Sequence, residues 1–531
     1  MRVRPPVGLA LLLILGLSSI ALAEDKPVQR FDVHEYRVLG NTVMSNRDIE
    51  GVLYPLLGDG KTIGDVDTAR GALEKAYHDA GYATVFVDIP PQEINEGIVR
   101  LRVTEGKTRV RTISGARYFS EGKILDELPA VKPGTVPNMK ELQTQLANVN
   151  AQTTDKSVTP VLKAGPVPGT MDVALKVDDH LPLHGGIDFN NQYSPDTEPL
   201  RATASLSYNN LFGELDSLST QYTFTPQKTG QVSVVSANYG FRPVAGGLHP
   251  SVSFINSSSD VATVSGTGGA LGVLGDGQVY GARLGIPLEY VPGNIQSLTL
   301  GLEYKHFKNT IGLTPVDDAT GPTTTIQPIS YLNASLGYQG SWQLASQLIS
   351  FDFTANAGPR GWGNRTTNFE TTRFLAHGNY FYLRSNLAFT QRLPLNMQLI
   401  VRGMLQESLE PLVVYEQASL SGADGVRGYL EAEILSDSAY KGSIQFQSPQ
   451  WAPHGFILGD GFIFFDAGRG HRNDALSSES TADTLRSWGL GLDLLPGHFI
   501  SGTLTIADPL NETTRTRKNE PRILFDLKST F

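Results

Sequence analysis

The chain ends Arg522-Ile523-Leu524-Phe525-Asp526-Leu527-Lys528-Ser529-Thr530-Phe531, and the alternation in this stretch decides the fold. On an extended strand Ile523, Phe525, Leu527 and Phe531 share one face, while Arg522, Asp526, Lys528 and Thr530 share the other. The same texture runs back to Leu181. Leu298, Leu300, Leu302 and Tyr304 alternate with Ser297, Thr299, Gly301 and Glu303; Phe381, Leu383, Leu387 and Phe389 alternate with Tyr382, Arg384, Asn386 and Thr390. Strands with one apolar and one polar face suit lipid outside and water inside. A soluble β-sandwich or β-helix is the alternative, against which stand the terminal Phe531 and the aromatic residues at strand ends. Counting segments predicts an all-β antiparallel transmembrane barrel of about sixteen strands over 181–531. The first starts near His184 and the last near Arg522, with others near Ile329 and Leu375.

The other end reads differently. Met1-Arg2-Val3-Arg4 is followed by an apolar run from Gly8 to Ile20 and then Ala21-Leu22-Ala23, the pattern of a secretory signal peptide over 1–23. Its apolar core is too short to span a bilayer as a helix, and no later stretch is long and apolar enough to do so. Cysteine is absent, so there are no disulfides and no Cys-based metal site. The net charge of -10 and the lack of a Lys/Arg run argue against a nucleic-acid partner.

Between these ends lies an internal repeat of about 75 residues, visible in element order. Residues 31–108 read as strand, short helix, longer helix, strand, strand, after a short segment 24–30. Ser45 is a candidate cap, and Val66, Ala69, Leu73, Ala76, Tyr77 and Ala80 recur at helical spacing before Gly81. Residues 109–180 repeat that order, with Asn138 as a cap before Met139. This predicts two α+β modules ahead of the barrel.

Two stretches within the barrel carry the candidate site. Leu420-Ser421-Gly422-Ala423-Asp424-Gly425-Val426-Arg427-Gly428-Tyr429 lies in a long loop, 408–438, of the kind that is usually functional or disordered. Downstream, Phe462-Ile463-Phe464-Phe465-Asp466-Ala467-Gly468 is an apolar strand interrupted by one acid. A guanidinium takes a carboxylate bidentately, and such a pair is strongest away from bulk water. The loop is therefore expected to fold inward and dock Arg427 on Asp466, with Val426, Gly428, Tyr429 and Gly468 shaping the contact. Asp424 or Glu416 is the local competitor for Arg427.

The modules resemble POTRA domains. Pro90-Pro91-Gln92, followed by Gly97 and by Val103-Thr104-Glu105-Gly106, is similar to the signature of the first POTRA in two-partner secretion transporters. Further similarity to that family lies in Tyr208–Asp216, in the Val426–Tyr429 loop with its Asp466 strand, in Trp488–Leu492 and in Ala507–Leu510. The resemblance is to the haemolysin secretion/activation type, ShlB/FhaC/HecB. It implies an outer-membrane transporter whose periplasmic POTRA domains bind an unfolded, haemolysin- or adhesin-like exoprotein, with Pro91 and Gln92 at the client-binding region, and pass it through the barrel. It also implies that the lock lies on the sixth extracellular loop. A barrel-assembly factor of the same superfamily is the nearest rival, and a plain porin the next. Some family members plug the pore with an N-terminal helix; 24–30 is too short for one, which leaves the inward loop as the expected obstruction.

No enzyme chemistry emerges. No G-x-S-x-G elbow occurs, and His180 and His184 flank Pro182 without an acidic partner, which suits solvated linker residues better than metal ligands. The Gly-rich run 266–277 lacks the G-K-[ST] of a phosphate loop. No catalytic residue, metal or cofactor is expected; the expected partners are the exoprotein and membrane lipid.

Overall fold

The computed structural model describes residues 29–531, except 168, 245–246, 260–261, 266–270, 289–292, 314–322, 453–456, 478 and 497–498. The leader 1–23, most of segment 24–30 and part of the Gly-rich run thus lie outside the described residues. The chain divides into two compact units, Met1–Asp179 and His180–Phe531.

The first unit builds one α/β arrangement twice. Glu35–Leu39 runs parallel to Ile98–Glu105, whose other edge takes Val85–Asp88 antiparallel. Lys107–Ser114 and Lys156–Ala164 flank Thr170–Asp179 in the same way. Each sheet is backed by a short and a long helix: Asn46–Leu53 and Ile63–Asp79, then Glu121–Asp126 and Met139–Ala151. The long helix of the first arrangement buries Val66, Ala69, Leu73 and Tyr77, the face its periodicity predicts. Tyr77 reaches the turn residue Asn41, donating to its Oδ1 at 2.8 Å. Burial, then the charge of Glu105, pushes the Tyr77 pKa up to about 12, so the hydroxyl stays a donor.

Two local features differ from expectation. The long helix starts at Ile63 because Thr62 and Asp65 form a reciprocal capping box, not recognised in the sequence. A strand, Gly58–Lys61, pairs with Phe31–Val33; its Gly-Asp-Gly-Lys sequence carries no alternation that would reveal it.

The two halves of this unit meet helix end to helix end. Asn138 Nδ2 donates to Ala80 O at 3.1 Å, the Met139 N–H to Gly81 O at 2.8 Å, and Lys140 Nζ to Asp79 O at 2.6 Å. The orphan carbonyls of one helix thus meet the donors at the start of the next. Gly81 sits at φ +102° against Asn138, where a Cβ would collide.

The second unit is a closed barrel of sixteen antiparallel strands, from Leu183–Asn190 to Arg522–Thr530. Each strand pairs with the next in sequence, and the ring closes where Asp526–Thr530 pairs with Gly186–Asn190. Alternation holds as predicted. On Ile457–His471, Ile463 and Phe465 face out and are exposed, while Phe462, Phe464 and Asp466 face in and are buried. Leu300, Leu302, Tyr304, Ile523 and Leu527 join the exposed outer belt. The strand expected near Leu375 begins instead at Phe381, because a short helix, Thr366–Thr372, and Leu375 at φ +56° occupy the preceding loop. The eighth strand, expected near Ile329, begins at Thr323.

Asp179, at the end of the first unit, gives this region a pH response. Burial alone would raise its pKa. The N–H groups of Arg117, Tyr118 and Phe119, donating at 2.8, 2.8 and 3.2 Å, outweigh that and hold the carboxyl below its usual value. Its contribution to stability is complete above the unfolded-state pKa of about 3.9. It is lost as pH falls through the lower folded-state value. Hydrogen-exchange protection of the 117–119 amides in the full-length protein should therefore fall in that acid range. Asp179→Asn should show the weakened protection already at neutral pH.

Candidate functional site

The loop between the eleventh strand, Gln398–Ser408, and the twelfth, Ser438–Gln447, turns into the barrel. It folds on itself first. Ala418–Ser419 pairs with Leu435–Ser436, and the Val426 N–H donates back to Leu420 O at 2.9 Å. Leu420, Val426 and Tyr429 then pack with Ala418, Ala439 and Leu485 as a small apolar cluster.

This packing delivers Arg427 to the thirteenth strand. Its Nε and Nη2 donate to Asp466 Oδ2 and Oδ1 at 2.8 and 2.9 Å, and its own N–H adds a bond to Oδ2 at 3.1 Å. Nη1 reaches Gln445 Oε1 at 3.1 Å and Nη2 reaches Ser443 Oγ at 3.0 Å. The guanidinium lies 3.4 Å from the ring centre of Phe464. Bidentate pairing plus stacking uses what distinguishes arginine from lysine. Asp466 is wholly buried, and of the competitors Glu416 is spent elsewhere.

The neighbouring residues fit around this pair. Gly428 takes φ +96° and passes Ala507, where a Cβ would come within 3.3 Å. The Tyr429 hydroxyl lies 3.0 Å from Arg486 O and 3.1 Å from Asn511 O, and accepts from the Asn511 N–H at 3.1 Å. Gly468 faces the loop; a Cβ there would lie 2.8 Å from Leu420 Cδ1 and 3.2 Å from Val426 Cγ2. It is the gap into which the loop fits.

Three further contacts hold the loop, and sequence reasoning did not find them. Glu416 accepts from Lys305 Nζ at 2.6 Å, Tyr331 Oη at 2.6 Å and Tyr382 Oη at 2.8 Å. Asp437, also buried, takes Arg373 Nη2 at 2.8 Å, the Asn473 N–H at 2.8 Å and Gln417 Nε2 at 2.9 Å. Glu433 accepts from the Arg515 N–H at 3.1 Å and Thr516 Oγ1 at 2.7 Å, on the loop before the last strand. Lys305 could have been placed on an inward face, because it follows Glu303 by two. Its partner lies 111 residues away and could not be inferred.

In the first unit Gln92 turns its amide to the sheet. Nε2 donates to Arg100 O at 2.8 Å and Oε1 accepts from the Arg100 N–H at 2.7 Å. It thereby continues the pairing of the central strand beyond Asp88, with Pro91 shaping the turn. Glu105 of the same signature accepts from the Thr42 hydroxyl and N–H and from the Val43 N–H at 3.2 Å. Gly106 leaves room for the Thr84 carbonyl, which a Cβ would meet at 2.7 Å. These signature residues hold the module's shape.

A closed barrel whose lumen receives a stapled loop, carried behind paired α/β modules, defines an outer-membrane barrel transporter with periplasmic POTRA domains. Residues 31–106 match the POTRA domain, ShlB-type, and residues 169–494 match the haemolysin secretion/activation protein family ShlB/FhaC/HecB. The chain belongs to that family and is a two-partner secretion transporter of the outer membrane. It is 22% identical over 487 residues to the outer membrane transporter CdiB of Dickeya dadantii, spanning 91% of this chain and 83% of that one. It is also 22% identical over 501 residues to CdiB of an Escherichia coli strain, spanning 90% and 79%. In fold it is similar to the solved CdiB from Escherichia coli, with TM-score 0.65 and 17% identity over 97% of this chain and 93% of that one. BamA from Haemophilus ducreyi lacking POTRA domains 1–3 is similar at TM-score 0.56 and 14% identity, over 94% and 100%.

Gly468→Val should unseat the loop tip without harming the barrel, at a cost of about 1–3 kcal/mol for the overpacked contact. Limited trypsin digestion of the folded protein is the check. Cleavage after Arg427 should be slow in the wild type and fast in the variant, with heat-modifiable migration retained.

Proposed function

We propose that loop 409–437, seated by Arg427 on Asp466, is the gate through which an unfolded exoprotein leaves the periplasm. Transporters of this family handle a secreted exoprotein partner. For this chain the client would meet the first unit at the outer edge of Glu35–Leu39, which pairs with one strand only, whereas Glu74 and His78 already bond the outer edge of Val85–Asp88. An edge recognises backbone and tolerates varied side chains, as an unfolded client requires. Pro91 and Gln92 would then serve the client through the sheet they hold rather than by touching it. The outer belt of exposed Leu, Ile and aromatic residues would face lipid. The work is conformational, and no covalent step is assigned to any residue.

The observation that carries this reading is the Arg427–Asp466 contact inside the lumen. Truncating one partner of a buried ion pair strands the other and costs roughly 3–5 kcal/mol. The loop would leave its seat and the transport-competent shape would be lost. The test co-expresses the neighbouring large exoprotein and quantifies it at the surface. Arg427→Ala and Asp466→Ala should each reduce surface client by about tenfold or more, the effect of only about 1.4 kcal/mol on a two-state ratio. Arg427→Lys should fall between. Normal secretion with impaired insertion of other barrels would instead support the assembly-factor reading.

A further inference from the structure

We infer that Glu416 is a second, separate anchor of the inward loop, and that it keeps the limb 409–417 on the wall when the tip around Arg427 swings away. The inference rests on reading the loop as a gate. Glu416 and Arg427 share no hydrogen-bond partner. Arg427 is held by the twelfth and thirteenth strands through Ser443, Gln445 and Asp466. Glu416 is held by Lys305, Tyr331 and Tyr382 on the seventh, eighth and tenth.

The apolar packing divides in the same place. Leu412, Val413 and Tyr415 belong to a cluster with Phe307, Tyr331 and Tyr382. Leu420, Val426 and Tyr429 belong to another, with Ala439 and Leu485. Between them stands the short Ala418–Ser419 to Leu435–Ser436 ladder. Below that, Gln406 Nε2 bonds both Glu416 O and Asp437 O at 3.0 Å. The tip therefore has its own hinge and its own lock.

The two releases break different contacts. If the tip leaves, the Asp466 carboxylate, 1% exposed, must be solvated together with Arg427, and Leu420, Val426 and Tyr429 lose their cover. If the limb leaves, the Glu416 carboxylate, 1% exposed, must be solvated together with Lys305. The stacked Tyr415–Phe307 pair, with ring centres 3.8 Å apart, must also part, and Phe307 and Ile329 lose their cover. Buried apolar surface and a buried, multiply bonded charge oppose each step separately. Release of the tip breaks none of the limb's bonds to Lys305, Tyr331 and Tyr382, so the limb stays.

Losing Glu416 removes more than hydrogen bonds. Lys305 would keep only Glu303, at 3.5 Å, which already takes Arg283 at 2.7 Å. That leaves Lys305 and Arg283 sharing one acid, with Arg384 nearby over the Tyr382 ring, so the limb loses its ion pair with the wall.

Ion conductance of the full-length protein in planar lipid bilayers tests this. Arg427→Ala should give an intermediate conductance level, from loss of the tip alone. Glu416→Gln combined with Arg427→Ala should add a second, larger level, with its open-to-closed ratio raised about tenfold over Arg427→Ala alone, the effect of weakening one buried charge-assisted contact. Glu416→Asp in the same background should restore the intermediate level. Should Glu416→Gln fail to give a heat-modifiable barrel, Tyr331→Phe with Tyr382→Phe removes two of the three donors while leaving both charges, and should produce the same second level. A folded double variant that behaves as Arg427→Ala alone, or a larger level in Arg427→Ala itself, overturns the separate anchor. An Arg427→Ala channel identical to wild type would instead sink the gate reading on which it rests.

Discussion

Sixteen strands, each apolar on one side and polar on the other, can lie in a membrane only if their ladder has no free edge. The short pairing of Asp526–Thr530 with Gly186–Asn190 meets that requirement. Everything inside follows from it. Closure makes a lumen whose wall is the inward face of every strand, so a segment entering it meets charged and hydrogen-bonding groups, and apolar patches such as Phe307 and Phe464, at fixed positions. The loop that enters carries acids and one arginine placed to match them.

The matching has a physical logic. A charge brought inside must be paired, and pairing inside is worth more than at a surface because water competes less. Arg427 finds Asp466, Glu416 finds Lys305, and Asp437 finds Arg373. Each contact lies on a different arc of the wall or on a neighbouring loop, so the segment is located from several directions at once. Small residues complete the seat where a side chain would push it out: Gly428 against Ala507 and Gly468 against Leu420 and Val426. A loop held this way is fixed by specific contacts rather than by bulk.

In the first unit the residues that stand out in the sequence serve the scaffold. Gln92 behaves as an extra piece of strand backbone against Arg100, and Glu105 caps the turn at Thr42–Val43. The helix-to-helix junction through Asn138 and Gly81 ties the two arrangements together. Helix and loop residues bond the outer edges of Val85–Asp88, Lys107–Ser114 and Lys156–Ala164, while among the described residues Glu35–Leu39 pairs with one strand only. An edge of that kind suits a partner that offers backbone and little else.

The sequence by itself determined the architecture. Period-two alternation is local, so the strand count, the inward and outward faces and the repeat of strand and helix order could be read without coordinates. Where no alternation exists, as in Gly58–Lys61, or where a loop inserts a helix before Phe381, local reading missed the element or its start. Arg427 and Asp466 could be proposed as a pair because each stood alone in an apolar or glycine-rich setting. Glu416 stood in the sequence only as a local competitor for Arg427, with nothing to point to Lys305, Tyr331 or Tyr382. Those three meet only because the barrel curves the seventh, eighth and tenth strands around one point of the lumen. Side-chain periodicity says which way a residue faces; only the closed ring decides what it faces.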